Sequence, residues 1–105
     1  MSHRNVRAVN LDYMLKPIAE AMQDVTVDDT VKQLGALPGD TAAVFVSVDT
    51  QPIIVTFDGT DPAAGNGHVY AAGATGTWSK ELALAAKITR QGGSDGHLCA
   101  SPLTV

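Results

Sequence analysis

The chain has 105 residues, of which 45% are hydrophobic and 17% charged, and its formal net charge is −4. This composition is typical of one small folded domain, and the sparse basic residues exclude the positively charged surface that nucleic acids require. The single cysteine, Cys99, excludes an intramolecular disulfide and a cysteine-based metal site, and no stretch has the roughly 20 apolar residues of a membrane helix.

The first 24 residues are predicted to form an N-terminal arm and a short helix. Residues 1–10 carry basic side chains without the apolar run of a signal peptide, and apolar residues recur at helical spacing from residue 11 onward. Because proline is best tolerated in the first helical turn, Pro17 predicts a helix over residues 16–23. Its apolar stripe either packs on the chain's own domain or contacts a partner, and both interpretations stay open.

Residues 25–105 are predicted to form a single β domain. Alternating and β-branched apolar residues predict strands at 25–31, 42–48 and 53–58. Only a few turn residues separate the last two strands, which predicts a hairpin. LPGD at 37–40 predicts a turn.

The second half of the domain is predicted to contain a helix between two strands. Residues 68–72 are predicted to form a short strand, and Ser79 can cap a helix whose buried side carries Leu82, Ala85 and Ala86. The final strand covers 97–105, where Pro102 predicts an edge position or a bulge because proline has no backbone donor. The expected fold is mainly β, a small antiparallel barrel or sandwich (jelly-roll-like) with one or two short helices.

Two glycine-rich patterns are predicted to be turns. GGSDG at 92–96 matches a nucleophile elbow, but that motif needs a strand before the serine and a helix after it. GNGHVY at 65–70 lacks the third glycine and the following helix of a phosphate-binding loop. Neither pattern therefore indicates catalysis or nucleotide binding.

The candidate metal ligands do not match a known spacing. Asp58, Asp61 and Asn66 supply oxygen atoms without the alternation of a calcium loop, so only an irregular calcium site stays open. His68 and His97 each begin a predicted strand and lack a defined third ligand. We therefore expect no catalytic, cofactor-binding or metal-binding residues and no cofactor.

Cys99 and Trp78 are predicted to be structural residues. Cys99 alternates with Leu98 in the last strand and is expected to be a small core residue. Trp78 precedes the predicted helix cap, where packing is a better explanation than stacking on a sugar.

Residues 42–105 resemble a group of short bacteriophage proteins, the head decoration (cement) proteins. The matching elements occur in the same order and are Pro52-Ile53, Asp58-Gly59-Thr60, Pro62, Gly67-His68, Ala72-Gly73 and the segment 79–90. The preceding LGALPGDT resembles the turn that opens the sheet of that family. The N-terminal 24 residues carry no part of the resemblance.

The resemblance implies a virion structural protein rather than an enzyme. Such a protein binds the outside of the phage head, as a dimer or trimer, and stabilises contacts between major capsid proteins. It is assembled in the host cytoplasm and has no nucleic-acid or membrane partner. The arm then supplies the partner-binding residues, which are His3, Arg4, Arg7, Leu11, Met14, Leu15, Ile18 and Met22.

Three other functions stay open from the sequence. One is another virion component, such as a head-fibre or tail adaptor. The second is a carbohydrate-binding module that uses Tyr70, Trp78 and the loop from Asp58 to Asn66. The third is a small cupin-like metalloenzyme that uses His68 and His97.

Overall fold

Two antiparallel β-sheets share one hydrophobic core in residues 14–105, the part of the chain that the computed structural model describes. The larger sheet contains β1 (Lys16–Pro17), β2 (Gln23–Val27), β3 (Ala43–Asp49), β6 (Thr75–Ser79) and β8 (Gly96–Thr104). The smaller sheet contains β4 (Ile53–Thr56), β5 (His68–Tyr70) and β7 (Lys87–Arg90), and helix α1 (Lys80–Ala85) connects β6 to β7. The predicted mainly β, antiparallel fold is confirmed, as a sandwich rather than a closed barrel.

The larger sheet is organised around β8. One side of β8 pairs with β3, which pairs in turn with β6. The other side pairs with β2 and then, past residues 101–102, with β1. Of the two positions predicted for Pro102, an edge or a bulge, the edge is wrong, because β8 pairs with strands on both sides. The proline lies where the neighbouring strand is interrupted, and its carbonyl accepts a hydrogen bond from the Ile18 N–H at 3.2 Å.

The core is formed by alternate side chains of the larger sheet and, from the smaller sheet, by β4 and Ile88 of β7. Successive residues of a strand point to opposite faces, so β3 buries its valines while its intervening residues point outward. All four residues of β4 are buried. The core side chains that pack together are Val27, Val44, Val46, Val48, Ile53, Val55, Trp78, Ala83, Ala86, Ile88, Leu98 and Ala100.

The hairpin predicted from the strands at 42–48 and 53–58 is not formed. β3 and β4 exist, but β3 lies in the larger sheet and β4 in the smaller. The chain crosses between the sheets at residues 50–52, where Thr50 has a φ of 72° and Pro52 cannot donate to a ladder. The crossing lets both strands bury apolar side chains in the same core.

The helix predicted at residues 16–23 is also wrong. Lys16 and Pro17 form β1, and a turn follows in which the Ala21 N–H donates to the Ile18 carbonyl at 3.3 Å. Glu20 has a φ of 60°, which ends any helical path before β2 begins. Pairing with β8 therefore outweighs the helical spacing of the apolar residues in this segment.

The local signals at α1 and at the LPGD turn are confirmed. The Ser79 hydroxyl accepts a hydrogen bond from the Leu82 N–H at 3.2 Å and caps α1. The Thr41 N–H donates to the Pro38 carbonyl at 3.0 Å. Of the residues predicted on the buried side, Ala86 is buried and Ala85 is partly buried, but Leu82 is 41% exposed and α1 buries Ala83 instead.

Candidate functional site

The connection between β4 and β5, called here the β4–β5 loop (residues 57–67), surrounds a small pocket that is open to solvent. Its volume is about 280 Å³. The pocket is lined by polar and aromatic side chains and by one glycine, which are Thr56, Phe57, Asp58, Thr60, Asn66, Gly67 and His68.

The polar groups of the β4–β5 loop are engaged with one another or with the adjacent β7. Asp58 accepts hydrogen bonds from the Thr60 backbone N–H at 3.0 Å and from the Thr60 hydroxyl, and these bonds lower the pKa of Asp58. Asp61 forms a 3.2 Å ion pair with Lys87. The Asn66 amide donates to the Asp61 carbonyl at 3.4 Å. Each of the three oxygen-bearing side chains of the calcium hypothesis therefore has a partner within the chain.

Aromatic packing fixes the base of the same loop. The Phe57 ring meets the Trp78 ring edge-on with centroids 5.4 Å apart, and it lies 5.8 Å from the His68 ring. The Trp78 indole N–H donates to the Tyr70 hydroxyl at 3.2 Å. Because Trp78 is only 3% exposed, its ring face is not accessible for stacking on a sugar.

A second group of polar side chains lies on the outer face of the larger sheet. This sheet cluster consists of Asp24, Asp49, His97 and Cys99. His97 lies between the two carboxylates, with Nδ1 3.1 Å from an Asp49 oxygen and Nε2 3.1 Å from an Asp24 oxygen. The Cys99 thiol donates to the same Asp24 oxygen at 3.0 Å.

Strand register brings the sheet cluster together. Cys99 pairs with Asp24 across β8 and β2, and His97 pairs with Asp49 across β8 and β3. Residues 97 and 99 lie two apart on one strand, so both side chains point to the outer face. Three strands that are distant in sequence therefore contribute to one group of donors.

The electrostatics of the sheet cluster centre on Asp24. The hydrogen bond from the Cys99 thiol, followed by the contacts with His97, lowers the pKa of Asp24. The same carboxylate raises the pKa of the Cys99 thiol, with burial as the next cause. The cluster is open to water, because the side chains of Asp24, Asp49 and His97 are 58%, 67% and 32% exposed.

The sequence reasoning missed the sheet cluster. The prediction that Cys99 is a core residue is wrong, since its side chain lies on the outer face and is partly exposed. His68 lies in the smaller sheet and His97 in the larger, and the side chains grouped with His97 are those of Asp24 and Cys99 rather than that of His68. The alternation of His97 and Cys99 indicates that both side chains lie on one face of a strand. Identifying Asp24 and Asp49 as their neighbours requires the register of β8 with β2 and β3.

The predicted partner-binding residues are described in part. His3, Arg4, Arg7 and Leu11 lie outside the described residues. Met14 and Met22 are 45% and 56% exposed, whereas Leu15 and Ile18 are half-buried. These four residues flank β1 and β2 along one side of the larger sheet, and residues 14–22 are called here the methionine edge.

Comparison with protein-family models, curated proteins and solved structures gave no match to this chain. Within residues 14–105, no helix combines the length and the apolar character that crossing a membrane requires.

Proposed function

We propose that this chain is a virion structural protein, a decoration protein that binds the outside of a bacteriophage head and stabilises contacts between major capsid proteins. In this role it acts by binding rather than by catalysis, as a dimer or trimer on the capsid. The proposal starts from the resemblance of residues 42–105. It is supported by the structural roles of the matching residues and by the exposed methionine edge.

The residues that carry the resemblance have clear roles in the scaffold. Asp58 and Thr60 close a turn at the end of β4. Gly67 has a φ of 149°, and a Cβ atom there would lie 2.8 Å from Ile54 Cγ1 and 3.0 Å from the Val55 carbonyl oxygen. These residues therefore connect the strands of a sandwich, which is what a rigid, non-catalytic module requires.

The methionine edge is the observation that carries the proposed mode of binding. Met14 and Met22 present flexible apolar side chains to solvent next to β1 and β2, and methionine adapts well to irregular partner surfaces. Burying two half-exposed side chains of this size against a partner contributes about 2 kcal/mol. The basic residues His3, Arg4 and Arg7 precede this edge in the sequence and suit an acidic capsid surface.

The test is binding to heads assembled from the major capsid protein encoded with this chain. We expect the protein to sediment with the heads and to raise the temperature at which they break open. The double variant Met14→Ser/Met22→Ser should weaken binding by roughly 10–30-fold, the equivalent of the lost apolar contact.

The matched control is Val69→Ser, which removes a side chain that is also 56% exposed but lies on β5 in the smaller sheet. It should leave head binding unchanged. A wild-type protein that neither sediments with heads nor protects them against heat would contradict the proposal. Binding to tails or to head fibres instead of heads would assign the chain to another virion component.

A further inference from the structure

We propose that Asp24, His97 and Cys99 form a binding site for a divalent transition-metal ion, with Zn²⁺ as the best match. The carboxylate, imidazole and thiol of these residues are the three ligand types that Zn²⁺ takes in proteins. Ca²⁺ and Mg²⁺ prefer oxygen ligands alone, so a site that includes sulfur and nitrogen selects against them. This inference is independent of the virion function.

The positions of the donor atoms fit one shared ion. The ligand atoms of the three residues all lie within 4.8 Å of one another. The Asp24 oxygen is 3.0 Å from the Cys99 sulfur and 3.1 Å from His97 Nε2. Tetrahedral zinc with ordinary bond lengths separates its ligand atoms by about 3.3–3.6 Å, so the two contacts of the Asp24 oxygen need to lengthen by only a few tenths of an ångström to admit the ion.

Asp49 completes the arrangement as an outer partner of the histidine. Its carboxylate oxygen lies 3.1 Å from His97 Nδ1. A metal-binding histidine almost always donates its second ring N–H to a carboxylate or carbonyl, which orients the ring and fixes its tautomer. With Nδ1–H donating to Asp49, the Nε2 lone pair points toward Asp24 and Cys99, where the ion binds.

The bound ion has three protein ligands and an open fourth position. The Asp24 side chain is 58% exposed, so a water molecule can complete the tetrahedron. On binding, the Cys99 thiol releases its proton to solvent and the thiolate coordinates the ion. Because Asp24 belongs to β2 and the other two ligands to β8, the ion links β2 to β8 and stabilises their pairing.

The test is titration of the full chain with Co²⁺ and Zn²⁺, with the cysteine kept reduced. Co²⁺ serves as the spectroscopic probe because a cobalt–thiolate bond gives a charge-transfer absorption. We expect one Co²⁺ per chain, displacement of Co²⁺ by Zn²⁺, and loss of the thiolate band in Cys99→Ser. At a free Zn²⁺ concentration a hundredfold above Kd, the melting temperature should rise by roughly 10–20 °C.

Two further variants separate the site from nonspecific binding. Asp49→Asn keeps all three ligands and should weaken metal binding by roughly 10–100-fold, as expected for a residue that orients a ligand. His68→Gln removes a histidine that lies outside the sheet cluster and should leave binding unchanged. All titrations are run with His3→Ala, because His3 is a further histidine outside the described residues.

The outer-face position of the ligands provides a check on folding. Each variant should show the melting temperature of the parent chain within a few degrees when a chelator is present, because the substituted side chains lie outside the core. The proposal is overturned if the parent chain binds no Co²⁺. It is equally overturned if Cys99→Ser retains the thiolate band or if Asp49→Asn binds as tightly as the parent.

Discussion

The β4–β5 loop and the sheet cluster hold their polar side chains through contacts of different kinds. In the loop, most contacts between polar groups are short in sequence, as between Asp58 and Thr60 two residues apart, although Asp61 pairs with Lys87 of β7. In the sheet cluster, His97 contacts carboxylates 48 and 73 residues away. The loop forms a recognisable motif in the sequence because its glycines and acidic residues lie close together, whereas the residues of the sheet cluster are far apart in the sequence.

The difference shows how a chain of this kind distributes structure and chemistry. A polar side chain that forms a hydrogen bond with a residue two positions away stabilises a turn and has less capacity left to bind a ligand. A polar group held on the outer face of a sheet meets whatever the register places opposite it. The β4–β5 loop, which stands out in the sequence, therefore stabilises the scaffold. The sheet cluster, which does not stand out, brings together carboxylate, imidazole and thiol groups.

The largest test of this comparison is Gly67→Ala in the β4–β5 loop. The added methyl group would lie 2.8 Å from Ile54 Cγ1 and 3.0 Å from a backbone oxygen, at a φ of 149° that L-residues rarely adopt. We expect the free energy of unfolding to fall by about 2–4 kcal/mol from strain and overpacking. Urea denaturation measures the change.

The matched control is Gly93→Ala, which also adds one methyl group in a connection between strands. A Cβ atom at Gly93 has no neighbour within 4 Å among residues 14–105, so the free energy of unfolding of Gly93→Ala should change by less than about 0.5 kcal/mol. Equal stability of the two variants would mean that the β4–β5 loop is not held by the close fit at Gly67.

The sequence predicts the β class but not the assignment of strands to sheets. The alternation in β3 and the apolar run in β4 identify both strands, yet neither pattern states whether the chain folds back within a sheet or crosses to another. Thr50, with its positive φ, and Pro52 mark the crossing, and both residues are equally compatible with a hairpin turn. Crossing to the second sheet buries all four residues of β4. Burial of this extent depends on the whole fold, so the local sequence does not reveal it.

The ends of the chain show the same limit for proline. In the sequence, Pro17 predicts a helix start and Pro102 predicts a strand edge or a bulge, because each lacks a backbone donor. In the fold Pro17 is in β1. This strand pairs with residues 103–104 of β8, whereas β2 pairs with residues 96–100, so residues 101–102 lie between the two pairings. The interruption between these two strands accommodates Pro102 in a central strand, and no local pattern encodes it.

The sheet cluster also cannot be predicted from any short stretch of the sequence, for a physical reason. Cys99 and His97 alternate within β8, so their common face follows from the sequence once β8 is known to be a strand. The presence of Asp24 and Asp49 opposite them requires two registers, β2 with β8 and β3 with β8. A single cysteine excludes a metal site built from cysteines alone, but it does not exclude a mixed metal site in which one cysteine joins a histidine and a carboxylate.

A smaller effect is expected in the reactivity of Cys99, which tests the coupling within the sheet cluster. The Asp24 carboxylate is the first cause of the raised pKa of the Cys99 thiol, and the charge of Asp49 is the last. Because the thiolate is the reactive form, Asp24→Asn should speed alkylation by iodoacetamide at pH 7.5 several-fold in the presence of a chelator. Mass spectrometry follows the reaction.

Asp49→Asn provides the graded control for this measurement. It removes a charge from the same cluster that affects the thiol less, so it should speed alkylation less than Asp24→Asn does. Identical rates in the parent chain and in Asp24→Asn would show that the 3.0 Å contact between thiol and carboxylate does not govern the thiol.

The smallest expected effect concerns Asp28, whose turn repeats the local arrangement of the β4–β5 loop. Asp28 accepts hydrogen bonds from the Thr30 hydroxyl at 2.7 Å and from its N–H at 2.9 Å, just as Asp58 does from Thr60. These bonds, with a lesser contribution from Lys32, lower the pKa of Asp28 to about 2 from an ordinary value of 3.8.

A lowered folded-state pKa makes the unfolded chain bind the proton more readily, so Asp28 stabilises the fold above pH 3.8 and loses that contribution as the pH falls toward 2. Asp28→Asn should therefore lower the melting temperature slightly at pH 7, and its difference from the parent should shrink between pH 5 and pH 2. Asp29→Asn, at an exposed position beside it, controls for the loss of one negative charge. A difference from the parent that stays constant from pH 7 to pH 2 would mean that the turn at Asp28 is held by something other than the ionised carboxylate, and the likeness between this turn and the one at Asp58 would then be one of shape alone.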